Sequence, residues 1–272
     1  MLGKCIKNEI INRYKPLLLV YSVLLIYSPI YYILDQMRDN MNNDYVMMFV
    51  GLLQVVYGFV VLFALLAVFF YPLYDFRNRL FKDQGYLTNT LPVKTSTLMI
   101  GRLIVDILTY ISAAIVIPFS ICLAAMDFRI YGKLFDLVIE LIGYITTDVS
   151  NVLVLTMIIL VLLTFLAGML LSQWMFNAAY AFGHSFSNNK KVMSIIGMLI
   201  FYAAFQVLSI FFLVILKNTG LLTDFQEIEN ASNYSFEVAN TFFGVICIFE
   251  MLGVAALVAI TGWLTKHKLN LE

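Results

Sequence analysis

Six apolar runs, each close to or above the length that crosses a bilayer, constrain this chain more than any other feature. A transmembrane helix needs about 20 apolar residues. The chain is 62% hydrophobic and 12% charged, against about 25% charged residues in soluble domains. We therefore expect an all-α membrane protein with a single six-helix domain at residues 17–264 and a tail at 265–272. The predicted spans are 17–34, 46–73, 98–125, 151–174, 192–216 and 241–264.

Residues 1–16 precede the first span and have a different pattern. Ile6, Ile10 and Tyr14 are spaced four residues apart and are surrounded by lysines and an arginine. An apolar stripe within a basic sequence is typical of a helix that lies on the membrane surface. We therefore predict an amphipathic helix over 1–16, followed by the first span.

Lysines and arginines are distributed unequally between the two sides of the predicted bundle. Thirteen of the 17 lie on the side that carries both termini, and the other side carries 11 of the 17 carboxylates. Loops rich in lysine and arginine stay in the cytoplasm. This distribution predicts cytoplasmic N- and C-termini in a cell membrane.

The polar segment 74–101, between the second and third spans, is the longest region on the basic side. Apolar side chains at roughly helical spacing alternate with basic ones, Gly85 can end a short helix, and Leu91-Pro92 marks entry into the next helix. We interpret this segment as a docking surface for another protein. Its apolar residues are Phe76, Leu80 and Phe81, and its basic residues are Arg77, Arg79 and Lys82.

Ionisable residues inside predicted spans are candidates for function, because they are costly in a membrane and usually face the interior of a bundle. Arg102 and Asp106 are four residues apart on the third span, which favours a structural pair, with a role in a substrate path as the alternative. Glu250, in the outer half of the sixth span, is either hydrogen-bonded or protonated in the bundle, or lines a path or gate. Gln54 and Gln206 are candidates for contacts between helices.

Several other kinds of chemistry find no support in the sequence. His184 and His267 lie in cytoplasmic segments without metal-ligand partners at suitable spacing, so we expect no metal site. The sequence has no nucleophile–base set for catalysis and no phosphate-binding Gly-x-x-x-x-Gly-Lys-Ser/Thr loop. The basic residues are spread along a membrane face, so we also expect no nucleic-acid partner and no cofactor in this chain.

The segment 79–102 resembles the cytoplasmic loop between the second and third spans of ABC-2-type permeases, the membrane subunits of type V ABC exporters. The resemblance rests on a polar residue, Gly, an aromatic residue and Leu, then Leu-Pro-Val and a Gly-Arg pair at the start of the third span. These residues are Asp83, Gly85, Tyr86, Leu87, Leu91, Pro92, Val93, Gly101 and Arg102. The six spans and the cytoplasmic termini fit the same family.

The resemblance implies an architecture and partners that the residues alone do not give. Helix 1–16 would be the elbow helix, and 76–87 would contain a coupling helix that inserts into a separate ATPase subunit. Two permease chains and two ATPase chains would form an exporter in a bacterial cell membrane, with ATP and Mg²⁺ on the ATPase. The lack of appended domains favours a compact exporter of amphipathic peptides, such as phenol-soluble modulins, or of hydrophobic compounds.

Three other classes of function remain as alternatives. A secondary transporter would need intramembrane acids for ion coupling and usually has inverted repeats, and Asp106 and Glu250 give it little support. An intramembrane enzyme lacks its catalytic set. A membrane immunity or sensor protein that only binds a peptide would need no ATPase. Only the export permease predicts that an ATPase binds the segment 75–97.

Overall fold

Six long helices account for almost all of the chain that the computed structural model describes, which is residues 2–39, 44–81, 94–125, 149–219 and 232–267. Each helix is long and apolar enough to cross a membrane. The prediction of an all-α multi-pass membrane protein is therefore confirmed. The helices are α1 (Leu2–Asp39), α2 (Asp44–Phe81), α3 (Thr95–Ala125), α4 (Val149–Gly183), α5 (Lys190–Asn218) and α6 (Ser232–His267).

The predicted surface helix over 1–16 is not a separate element. Helix α1 runs without a break from Leu2 to Asp39 and includes Pro16 and Pro29. Its first four turns continue directly into the predicted first span. The beginning of α1 also contributes buried side chains: Glu9, Arg13 and Leu17 are each at most 5% exposed.

The helices are longer than the apolar runs that predicted them. Helix α2 continues through the polar residues after the predicted second span and ends at Phe81. Helix α4 ends at Gly183, nine residues beyond the predicted fourth span. Hydropathy marks the part of a helix that lies in lipid, whereas backbone hydrogen bonding continues into polar surroundings.

The first compact unit consists of residues 1–75 and 101–137 and contains α1 with most of α2 and α3. Small and aliphatic side chains fill its interior, including Leu24 and Ala64, which are fully buried. Polar bonds join its helices: the Tyr57 and Ser120 hydroxyls lie 2.9 Å apart. Such combinations are typical of membrane helices, where lipid supplies no hydrophobic driving force between them.

The second compact unit consists of residues 76–100 and 138–272. Helix α4 contacts both α5 and α6 in this unit, and the Trp174 side chain of α4 is fully buried. Gly253 lets α6 approach α4 closely, because a Cβ there would lie 2.8 Å from Leu171 Cδ1. The Phe212 and Phe249 rings stack with centroids 4.3 Å apart and join α5 to α6.

Candidate functional site

Five charged side chains are buried together in the first unit. They come from the beginning of α1, the last third of α2 and the beginning of α3, and each is at most 6% exposed. Three are acids and two are arginines, so the formal charge of this group is −1. We refer to them as the charge cluster: Glu9, Arg13, Asp75, Arg102 and Asp106.

The charge cluster is held by ion pairs between helices. The Arg13 guanidinium donates a hydrogen bond from Nη1 to Asp106 Oδ1. Its Nη2 lies 3.9 Å from Asp75 Oδ2, so one arginine of α1 bridges acids of α2 and α3. Arg102 Nε lies 3.3 Å from Glu9 Oε1. The beginning of α1 is therefore paired twice with α3 and once with α2.

Arg102 and Asp106, the predicted pair on α3, each form an ion pair with a residue of α1. Glu9 and Arg13 on α1 have the same four-residue spacing as Arg102 and Asp106 on α3, with the charges in the opposite order. Each residue therefore meets an opposite charge on the other helix. Both pairs across the interface are shielded from water, since the four side chains are at most 5% exposed.

Charges buried to this degree are expensive unless they are paired, because removing an ion from water costs several kcal/mol. Glu9 and Arg13 on the first turns of α1 are buried, and their ion pairs offset the cost of that burial. Sequence reasoning assigned Arg13 to the surface of an amphipathic helix and did not single out Glu9 or Asp75. The detectable signal was the repeated four-residue spacing of opposite charges in 9–13 and 102–106.

A pocket of about 470 Å³ lies beside the charge cluster, between α1 and α3. Arg13 and Thr109 are among its polar lining residues, and Leu17, Leu25 and Val116 are among its apolar ones. The Tyr21 and Ser112 hydroxyls, 3.1 Å apart, connect the two helices across it. This pocket therefore offers a mainly apolar surface that carries a few polar groups.

The apolar residues predicted to dock a partner are buried within the chain. Phe76, Leu80 and Phe81 are at most 7% exposed, and the Phe76 ring lies 6.3 Å from Trp174. The prediction that these three side chains form the docking contact is therefore wrong: they anchor the end of α2 in the second unit. Arg77 and Arg79 are partly exposed on the same turns. The remaining members of the predicted segment lie outside the described residues: Lys82, Asp83, Gly85, Tyr86, Leu87, Leu91 and Pro92.

The remaining candidates for a path or gate differ in their surroundings. Gln54 donates a hydrogen bond to Asp35 at 2.7 Å, which confirms its contact between helices. Gln206 is exposed at the surface of α5, and its predicted contact between helices stays a prediction. Glu250 is partly exposed, and its Oε1 lies 3.5 Å from the position of a Cβ on Gly168 of α4.

Comparisons with known proteins identify no relative. No family model matches the chain, and neither a curated protein nor a solved structure matches it.

Proposed function

We propose that this chain is the membrane subunit of an ATP-driven exporter, bound to a separate ATPase and coupled to it through the segment 75–97. The charge cluster carries the proposal. It ties α1 to the two helices that flank this segment, α2 and α3, by ion pairs within the protein interior. Displacement of the segment by a closing ATPase would therefore move three helices together.

Rigid transmission is what a coupled transporter requires, because alternating access is largely a rigid-body movement of helices. Helix α2 is continuous from the charge cluster at Asp75 to Phe81, and Phe76, Leu80 and Phe81 fix its end by packing. Arg77 and Arg79 lie on the same turns and are partly exposed. Charges at such a surface set partner choice and association rate more than affinity.

The surface of α5 supports a second permease copy. Gln206 is exposed on a membrane-spanning helix, where hydrocarbon would leave its amide without polar contacts. A second chain or an aqueous path beside α5 supplies those contacts. We therefore propose a complex of two permease chains and two ATPase chains in a bacterial cell membrane, with cytoplasmic termini and with ATP and Mg²⁺ bound by the ATPase.

The pocket beside the charge cluster supports a class of cargo. The pocket is lined mainly by apolar side chains with a few polar ones, which suits an amphipathic peptide or a hydrophobic compound. The resemblance of 79–102 to ABC-2-type permeases favours the same class. Glu9, Asp75 and Asp106 each pair with an arginine, so coupling transport to an ion gradient through any of them would first break an ion pair.

Charge reversal in the coupling segment tests this proposal. We expect Arg79→Glu with Lys82→Glu to uncouple ATP hydrolysis from transport in vesicles containing the chain and its ATPase. Lys266→Glu is the matched control, since Lys266 is exposed at the end of α6 and lies on the same predicted face. Normal coupling in the double variant, or equal loss in the control, would contradict the assignment of the segment.

A further inference from the structure

A second pocket, unrelated to the charge cluster, lies in the second unit where α2 ends and the turn from α4 to α5 begins. Its volume is about 500 Å³. Its polar lining combines three permanent cations with an imidazole, a phenol and a hydroxyl: Arg77, Lys190, Lys191, His184, Tyr180 and Ser194. Of the described residues that line it, none is acidic. We call it the basic pocket.

The cations of the basic pocket are held close together by the fold. A short turn, residues 184–189, places His184 at the end of α4 near Lys190 and Lys191 at the start of α5. The Arg77 guanidinium lies over the Tyr180 ring, 5.5 Å from its centroid. His184 Nδ1 donates a hydrogen bond to the Tyr180 carbonyl at 3.0 Å, which fixes the imidazole and directs its hydrogen.

The positive charge of the pocket affects the pKa of His184. Burial lowers the pKa of this imidazole, and the nearby charges of Lys190 and Arg77 lower it further, although the hydrogen bond to the Tyr180 carbonyl opposes them. The pocket therefore disfavours an additional positive charge. An anion placed among these groups would reverse this preference, because it favours the charged form of each neighbouring base.

Apolar surface continues from the pocket along the membrane-spanning part of α5. Ile195 lines the pocket and is 64% exposed. Leu199, one turn further along the helix, is 63% exposed. Phe176 and Met198 form the pocket's apolar wall. A molecule with a phosphate in the pocket and a hydrocarbon chain along α5 would match both surfaces.

We propose that the basic pocket binds the phosphate group of an anionic phospholipid headgroup. The apolar surface that continues along α5 favours such a lipid over free phosphate, because it can contact the hydrocarbon chain. Basic pockets between membrane helices are suited to such headgroups. Lysines and an arginine supply the charge, and the first turn of α5 adds backbone N–H groups, since Asn189 forms no side-chain cap there. This inference goes beyond the proposed export and does not depend on it.

Equilibrium binding of fluorescent phosphatidylglycerol to the full chain in mild detergent tests the proposal. Each basic residue near an anionic lipid contributes about fivefold to affinity. We therefore expect Lys190→Gln with Lys191→Gln to weaken binding about 25-fold. Lys266→Gln removes a similar exposed charge outside the pocket and should have little effect. Equal weakening by both variants, or no preference for phosphatidylglycerol over phosphatidylcholine, would overturn the proposal.

Competition with inorganic phosphate distinguishes the two sources of the phosphate group. Displacement of the labelled lipid only at a large excess of phosphate supports the lipid headgroup, whereas displacement at comparable concentrations overturns it in favour of the free ion. Imidazole resonances provide an independent readout. Phosphatidylglycerol should raise the pKa of His184, and an unchanged His184 titration would contradict binding at this pocket.

Discussion

Removal of either partner of the Arg13–Asp106 pair should destabilise the first unit strongly, and removal of Arg13 should cost more than removal of Asp106. Arg13 contacts two acids, Asp106 and Asp75, whereas the Asp106 contact is with Arg13. Arg13→Gln therefore removes the cation that both carboxylates contact and makes the formal charge of the cluster −2. Asp106→Asn makes that charge 0, and Asp75 remains to accompany Arg13.

The magnitude follows from the burial of the pair. Both side chains are at most 3% exposed, and breaking a buried ion pair by removing one partner costs about 3–5 kcal/mol. We expect Arg13→Gln to lie at or above the upper end of this range and Asp106→Asn to lie near the lower end. Lys15→Gln, on the exposed side of the same helix, should change stability by less than about 0.5 kcal/mol.

A double-mutant cycle measures the interaction directly. The chain and its variants are unfolded in detergent by a graded denaturant, and the change in unfolding free energy is compared among the single variants and Arg13→Gln with Asp106→Asn. Because the two residues are in contact, the double variant should lose less stability than the two single losses combined, by about 0.5–3 kcal/mol. Additive losses, or an Arg13→Gln variant as stable as Lys15→Gln, would refute the buried pair.

Three further predictions concern packing and charge elsewhere in the chain. Leu80→Ala should lose about 2–5 kcal/mol of unfolding free energy, because Leu80 is fully buried, while Tyr74→Ala, at a 61% exposed site, should lose far less in the same assay. Gly183→Ala should lower the thermal unfolding temperature, because its Cβ would lie 2.6 Å from the Lys190 carbonyl oxygen. Gly244→Ala, with open space at its Cβ, should be neutral or stabilise by up to about 1 kcal/mol. Glu250→Gln should preserve assembly, seen by size-exclusion chromatography, and alter transport; unchanged transport at every pH would remove Glu250 from the path.

The sequence predicts the helices well because lipid imposes a simple rule on them. Every backbone polar group in a spanning segment must be satisfied within its own helix, so apolar length alone locates each span. The same rule is silent on where polar helix ends stop. That is why α2 extends to Phe81 and why the predicted surface helix is the first part of α1.

Side-chain partners are harder to predict because they depend on which helices are neighbours. Arg102 and Asp106 are four residues apart, and that spacing alone favours a pair along α3. Only the position of α1 beside α3 shows that Glu9 and Arg13 are better partners. Likewise, the spacing of Phe76 and Leu80 indicates an apolar helix face, but a spacing does not say whether a partner protein or the chain itself covers that face.

Affinity purification tests the central claim, that an ATPase binds and drives this chain. The tagged protein would be isolated in mild detergent, and co-purifying proteins would be identified and quantified by mass spectrometry. We predict an ATPase subunit at a ratio near one to one, and its loss in the Arg79→Glu, Lys82→Glu variant but not in Lys266→Glu. Recovery of the chain without an ATPase, even after crosslinking from the coupling segment, would contradict the exporter and favour a free-standing transporter or a peptide-binding protein.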